Sequence, residues 1–303
     1  MKLTFGIITL NADFFIRQVL ESIYPFAHKI IIADGAVKWW ADNHGLIGSM
    51  DKTIRIIKDF QLKNDPDYKI ILVQNNYPYT EKDDQCRAWF QFVPADTDYV
   101  ICNDADEVHS PENLEKLIKF LEKEQPTSVG FKSDSFFGGF DRIIGGFERD
   151  HNFKRVLKYE AGCYYHTHRQ PTLLMPDGKP PLGGLGVDIT GNQLYEQTGI
   201  TMWHGSYVSP IGVYNKIKYY EGAVISKGNC IPNYFNDLWL PWVRGNTIQR
   251  DAIEQRWKGV QEFMPHARGE CFTQPYTGTH PPAIQESMQE LKNKFDNELK
   301  EFV

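Results

Sequence analysis

Apolar and polar positions change period along this chain in a regular way. Residues 3–10 are almost all apolar and rich in β-branched side chains, which predicts a strand buried on both faces. Asn11 and Asp13 follow as caps for a helix whose apolar positions Ile16, Val19, Leu20 and Ile23 recur at i, i+3, i+4 and i+7. Residues 29–33 predict a second buried strand that stops at Asp34-Gly35, residues 53–60 a helix, and residues 69–74 a third strand. A short helix over 85–92 leads to a fourth strand over 99–102, which runs into Asn103-Asp104-Ala105-Asp106-Glu107. Ser110 as N-cap and Pro111 at the first position then open a helix with Leu114, Leu117, Ile118 and Leu121 on one face.

Four short strands alternating with helices predict an α/β protein with a mostly parallel sheet. Such sheets bind ligands beyond the carboxyl ends of their strands. Here those ends carry Asn11, Asp34 and the acids Asp104, Asp106 and Glu107. From about Ser128 the pattern loosens. Gly138-Gly139, Gly145-Gly146 and Gly183-Gly184-Leu185-Gly186 separate strand-like stretches such as 153–159 and 199–204. Residues 282–303 place Ile284, Met288, Leu291, Phe295 and Leu299 on one stripe of a closing helix, which either packs on its own domain or joins chains as a homo-oligomer. The division expected is a first half over 1–125, a second over 126–225 and a C-terminal extension over 226–303.

Composition narrows the class. The 303 residues are 41% hydrophobic and 24% charged, as expected of a globular chain with a sizeable core. A net charge of −6 without a Lys/Arg run argues against binding nucleic acid. Aromatic residues make up 14%, including seven Trp, which serve either a bulky core or ligand stacking. The five Cys (86, 102, 163, 230 and 271) form no C-x-x-C pair and are odd in number, so no disulfide framework is expected. The apolar stretch at the N-terminus is broken at Asn11, and no run reaches the ~18 residues of a membrane span. The expected compartment is the cytoplasm.

The acidic segment after the fourth strand is the main chemical signal. Three carboxylates in four residues repel one another unless a cation or donors compensate. In an extended segment Asp104 and Asp106 share one side and reach a single hard cation through oxygen, leaving positions open for diphosphate. The plainer reading is a solvated acidic loop before a helix. Asp34-Gly35 is either a strand-tip carboxylate for a ribose or base, or an ordinary turn. His204, after Met202-Trp203, offers a neutral ring nitrogen as a third ligand, although a lone His is more often a packing residue. His166 and His168 form an i, i+2 pair without a clear metal partner. No P-loop, complete G-x-G-x-x-G, H-E-x-x-H or G-x-S-x-G occurs.

Together FGIITLN, KIIIADG, GSMDKT and YVICNDADEVHSPENL resemble a GT-A-fold glycosyltransferase (a Rossmann-like αβα sandwich), most like the family 2 enzymes. Those enzymes usually run the Asp-Gly-Ser-x-Asp-x-Thr elements together. Here Asp34-Gly35 and Ser49–Thr53 are separated by about a dozen residues that include Trp39 and Trp40. The resemblance implies a metal-dependent transfer of sugar from a nucleoside-diphosphate donor to a hydroxyl of a glycan or other acceptor, with inversion. Under it, 1–125 becomes a nucleotide-sugar half and 126–225 an acceptor half. It assigns Thr9, Asn11, Asp34, Arg87 and Asp104 to the nucleotide sugar, and Asp104, Asp106 and His204 to Mn²⁺ or Mg²⁺. For the catalytic base we select Asp188, with Glu148 in reserve; a turn residue is the plain alternative for Asp188. Aromatic side chains of the second half, among them Trp203, Tyr207, Tyr219, Tyr220, Trp239 and Trp242, are candidates for stacking on the acceptor. A sugar-nucleotide pyrophosphorylase is a competing reading, but it calls for a Gly-rich basic loop where Leu10-Asn11-Ala12-Asp13 stands. A non-enzymatic carbohydrate-binding protein has no need of the carboxylate trio.

Overall fold

The computed structural model describes residues 1–181, 187–222, 233–256 and 271–302. The turn expected at Gly183–Gly186 and Cys230 lie outside the described residues. In chain order the strands are β1 (Leu3–Thr9), β2 (Ala27–Asp34), β3 (Ile70–Gln74), β4 (Tyr99–Asp104), β5 (Glu107–Val108), β6 (Ser128–Phe131), β7 (Ser133–Phe137), β8 (Arg142–Gly146), β9 (Phe153–Lys158), β10 (Tyr164–Thr167), β11 (Thr172–Leu174), β12 (Asp188–Ile189), β13 (Met202–Tyr207) and β14 (Cys271–Pro275). The helices are α1 (Ile16–Ile23), α2 (Lys38–His44), α3 (Thr53–Asn64), α4 (Lys82–Phe90), α5 (Pro111–Glu124), α6 (Phe147–Asp150), α7 (Gly191–Thr198), α8 (Pro210–Gly222), α9 (Leu240–Arg244), α10 (Thr247–Arg256) and α11 (Pro282–Lys300).

The chain forms two compact units built from interleaved segments. The first comprises 1–132, 152–202 and 281–284, the second 133–151, 203–280 and 285–303. This interleaving differs from the contiguous thirds expected from the sequence. It arises because the excursion through β7, β8 and α6 leaves the first unit and returns to it at β9.

The first unit is built on a seven-stranded sheet in the order β12-β6-β9-β4-β1-β2-β3. All its pairings are parallel except those of β9, which runs antiparallel to both β4 and β6. The strands read as unbroken apolar runs because both faces are covered; Phe5, Ile7, Ile31 and Val100 are fully buried. Gly6 permits a close approach, since a Cβ there would lie 2.4 Å from the ring of buried Trp89 on α4. Ser110 caps α5 as expected, accepting a hydrogen bond from the Asn113 N–H.

The second unit carries a sheet with strands in the order β14-β8-β7-β13. Its core gathers Phe137, Ile144, Tyr207, Leu238, Trp239 and Trp242, and Phe295 and Leu299 of α11 pack against it. Phe295 and Leu299 carry part of the α11 stripe onto the chain's own core, one of the two roles expected for it. Trp203, Tyr207, Trp239 and Trp242 are each at most 3% exposed, so they fill the interior and are not stacking platforms.

Candidate active site

The carboxyl tips of β1 and β2 are fixed by one buried side chain. Gln85 on α4 donates from Nε2 to the carbonyls of Thr9 (3.1 Å), Ala33 (2.9 Å) and Gly35 (3.1 Å). Thr9 and Asp34 therefore stand side by side, and Thr9 Oγ1 donates to Asp34 Oδ1 at 2.9 Å. Asp34 is 2% exposed and also accepts from the backbone N–H and the hydroxyl of Ser49. The two halves of the motif that the sequence separates are thus rejoined in space. The intervening residues fold as α2 and return to β2 through the hydrogen bond from Ala36 N–H to the Ile47 carbonyl. Asp34 is consequently the anchor of the Ser49 loop, with its oxygens engaged by Thr9 and Ser49. Beside it the Tyr79 hydroxyl is pushed up to about 12 by burial and by the charge of Asp34.

Asn11 locks the same loop from the other side. Its backbone is left-handed (φ 52°), its side-chain oxygen accepts from Met50 N–H at 2.8 Å, and its own N–H donates to Ser49 Oγ at 2.7 Å. Ala12 N–H donates to Thr53 Oγ1 and Asp13 N–H to Asp51 Oδ2. Asn11 and Asp13 do not cap α1, whose N-cap is Phe15 without a side-chain bond. They tie two loops together, because a loop partner satisfies them as well as a helix end does.

At the tip of β4, Asp104 is the last strand residue, and Ala105-Asp106 form a turn into β5. Strand alternation therefore does not relate the two aspartates; the turn does. Asn103 donates to the carbonyls of Asp104 and Glu107 across that turn. His109 donates from Nε2 to Asn103 Oδ1 at 2.7 Å, the role left by the amide's own donations. Burial, with Arg155 nearby, lowers His109 to about 4. Glu107 is fully buried and faces Arg155, not solvent. Arg155 on β9 donates to both Glu107 oxygens and, at 2.7 Å, to Asp104 Oδ2.

Arg87, expected at the nucleotide, is engaged at the β10–β11 hairpin. Its guanidinium donates to Asp84 and to the carbonyls of Tyr165 and His166, holding the β10–β11 hairpin against α4. His168 follows β10 and places Nδ1 2.5 Å from Asp83, whereas the His166 side chain is exposed. Asp188 opens β12 in register with Ser128, which aligns through Leu157 of β9 with Val100. That level lies four residues, roughly 13 Å, before Asp104 along the strand direction. A general base must come within hydrogen-bond reach of its proton; Asp188 instead accepts from Ser128 on an edge strand.

In the second unit His204 on β13 is 7% exposed, with Nδ1 3.4 Å from Ser135 Oγ. The same hydroxyl lies 3.4 Å from Oε1 of Glu148, which is 4% exposed. Glu148 Oε2 is buried without a hydrogen-bond partner. Neither Gln85, Arg155 nor Ser135 was singled out by the sequence. None of them interrupts an apolar run: Gln85 follows Asp83-Asp84, Arg155 follows Lys154 and Ser135 follows Asp134.

Residues 48–170 match Glycosyl transferase family 2. No curated protein matches the chain. Among solved structures, residues 1–349 of S. aureus TarS in complex with UDP-GlcNAc are 11% identical, with a TM-score of 0.43 over 74% of this chain and 68% of that one. Another structure of that fragment is covered over 66% of its length, and the longer TarS chain over 40%. Glucosyl-3-phosphoglycerate synthase from Mycobacterium tuberculosis, solved with Mn²⁺, UDP and glucosyl-3-phosphoglycerate, is 18% identical over 45% of this chain and 44% of that one, with a TM-score of 0.31. The largely parallel sheet with an acidic turn at the tip of β4 is the α/β architecture expected from the sequence. No described helix is long and apolar enough to cross a membrane.

Proposed function

We propose that this chain, a glycosyltransferase with a family 2 domain over residues 48–170, moves a sugar from a nucleoside-diphosphate donor to an acceptor hydroxyl with inversion. One observation carries the reading: the matched segment holds both the Ser49 loop clamped to Asp34 and the acidic turn after β4. The Thr9–Asp34–Ser49–Asn11 assembly supplies the nucleotide end, with Asp34 holding the loop that presents backbone groups to the base and ribose. Asp104, Asp106 and His204 are the ligand set for Mn²⁺ or Mg²⁺, two carboxylates and one neutral nitrogen that suit a hard divalent ion. Such an ion, when bound, supplies charge neutralisation for the departing diphosphate. Ser135 Oγ beside Nδ1 of His204 fixes which ring nitrogen faces away, the orientation a ligand needs.

Glu148 takes the role of general base. Its Oε2 has no donor, and an acceptor hydroxyl would satisfy it while losing its proton to it. The test is hydrolysis and transfer with a panel of UDP, GDP, CDP and dTDP sugars, with Mn²⁺ and with EDTA, comparing wild type with Asp106→Asn. We expect turnover with one donor class, lost by about 10²-fold or more on EDTA treatment or in Asp106→Asn. Absence of turnover and of nucleotide binding across the panel would refute the reading.

A further inference from the structure

We propose that Arg155 is a positioning residue for the cation site: it holds Asp104 by one oxygen and leaves the other to the ion, with Glu107 as the lock that fixes Arg155. This deepens the metal reading above and rests on it.

The acidic segment contains three carboxylates, yet they are not equivalent. Glu107 is fully buried, meets the guanidinium through both oxygens, and also accepts from the backbone N–H of Asp104 at 3.0 Å. It therefore faces away from the ligand side and is committed to the fold. Asp104 is 46% exposed at its side chain and gives only Oδ2 to Arg155. Arg155, 13% exposed, thus bridges a buried acid and a half-exposed one. A planar fork with fixed donors can do this; an ammonium cannot hold both acids in the same geometry.

Charge makes the same point. Asp104, Asp106 and Glu107 crowd one turn, and an uncompensated trio would open it by repulsion. One guanidinium leaves two negative charges in the group, the amount a divalent cation neutralises. Without the bridge Asp104 would be free to rotate, and the cation would have to order it at an entropic cost. Outer-shell partners that orient a metal-binding carboxylate typically carry 10–100-fold in metal affinity.

The test measures Mn²⁺ binding to the full chain by electron paramagnetic resonance, with Mn²⁺ alone and with added UDP or GDP. Two variants are compared with wild type. Arg155→Lys keeps the charge and loses the fork. Glu107→Gln/Arg155→Gln removes the buried pair together, so that no buried charge is stranded and the local net charge is unchanged. We expect the Mn²⁺ Kd to rise about tenfold or more in both variants, with the melting temperature of the double variant within a few degrees of wild type. Arg155→Lys should fall between wild type and the double variant. An unchanged Kd in either folded variant would overturn the proposal and leave the transferase reading standing. Failure of the wild-type chain to bind Mn²⁺ under any of these conditions would instead overturn the metal reading, and the role of Arg155 with it.

Discussion

Gln85→Met strips the tips of β1 and β2 of their common donor while nearly conserving volume. Gln85 is 4% exposed, and its amide serves the carbonyls of Thr9, Ala33 and Gly35 with two hydrogens. The Thr9 carbonyl keeps a second donor, the N–H of Gly35 at 3.0 Å, and Ala33 stays paired in the parallel β1–β2 ladder, so the loss falls mainly on the Gly35 carbonyl. A buried carbonyl deprived of its donor costs ~1–3 kcal/mol, which is the loss expected here. For a chain of this size that corresponds to a fall in Tm of about 2–10 °C. Urea denaturation followed by circular dichroism gives the free energy, and isothermal titration of nucleotide gives the functional effect. Because Thr9 and Asp34 sit at the loosened tips, nucleotide affinity should fall with stability, by about tenfold for each 1.4 kcal/mol of misplacement. A loss below about 1 kcal/mol would show that water or the sheet satisfies these carbonyls, and would refute the reasoning.

Ser49→Ala removes both the acceptor for Asn11 N–H and a donor to Asp34, and should cost about 1–2 kcal/mol in urea and raise the nucleotide Kd roughly tenfold. His109 links stability to pH. Its folded value of about 4 lies below the ordinary 6.5, so the unfolded chain binds the extra proton between those values. Its contribution is full above pH 6.5 and is lost as pH falls toward 4, up to about 3 kcal/mol. His109→Gln should therefore flatten the urea midpoint between pH 7 and pH 5, and an unchanged slope would contradict this.

How legible the molecule was from its sequence depends on the range of the interaction. The four parallel strands were plain because burial on both faces leaves an unbroken apolar run, and Ser110-Pro111 was plain because a cap and its helix are neighbours. The Asn11 and Asp13 reading failed where a loop thirty-eight residues away offered a better partner than the adjacent helix. Asp188 stands out in the sequence only by its place beside a glycine-rich run. Its distance from the strand tips follows from pairing with β6, to which no local signal pointed.

The chain order by itself determined the α/β class, the position of the acids at strand ends, and the likeness to family 2 transferases. All of these rest on periodicity and short-range spacing. Tertiary structure alone decided how those acids divide their work. Asp34 anchors Ser49, fifteen residues on, and Arg155, fifty-one residues beyond Asp104, draws Glu107 inward and leaves Asp104 half-exposed. A carboxylate's role is set by the partner that desolvates or neutralises it, and such partners meet only when the sheet brings distant strands into register.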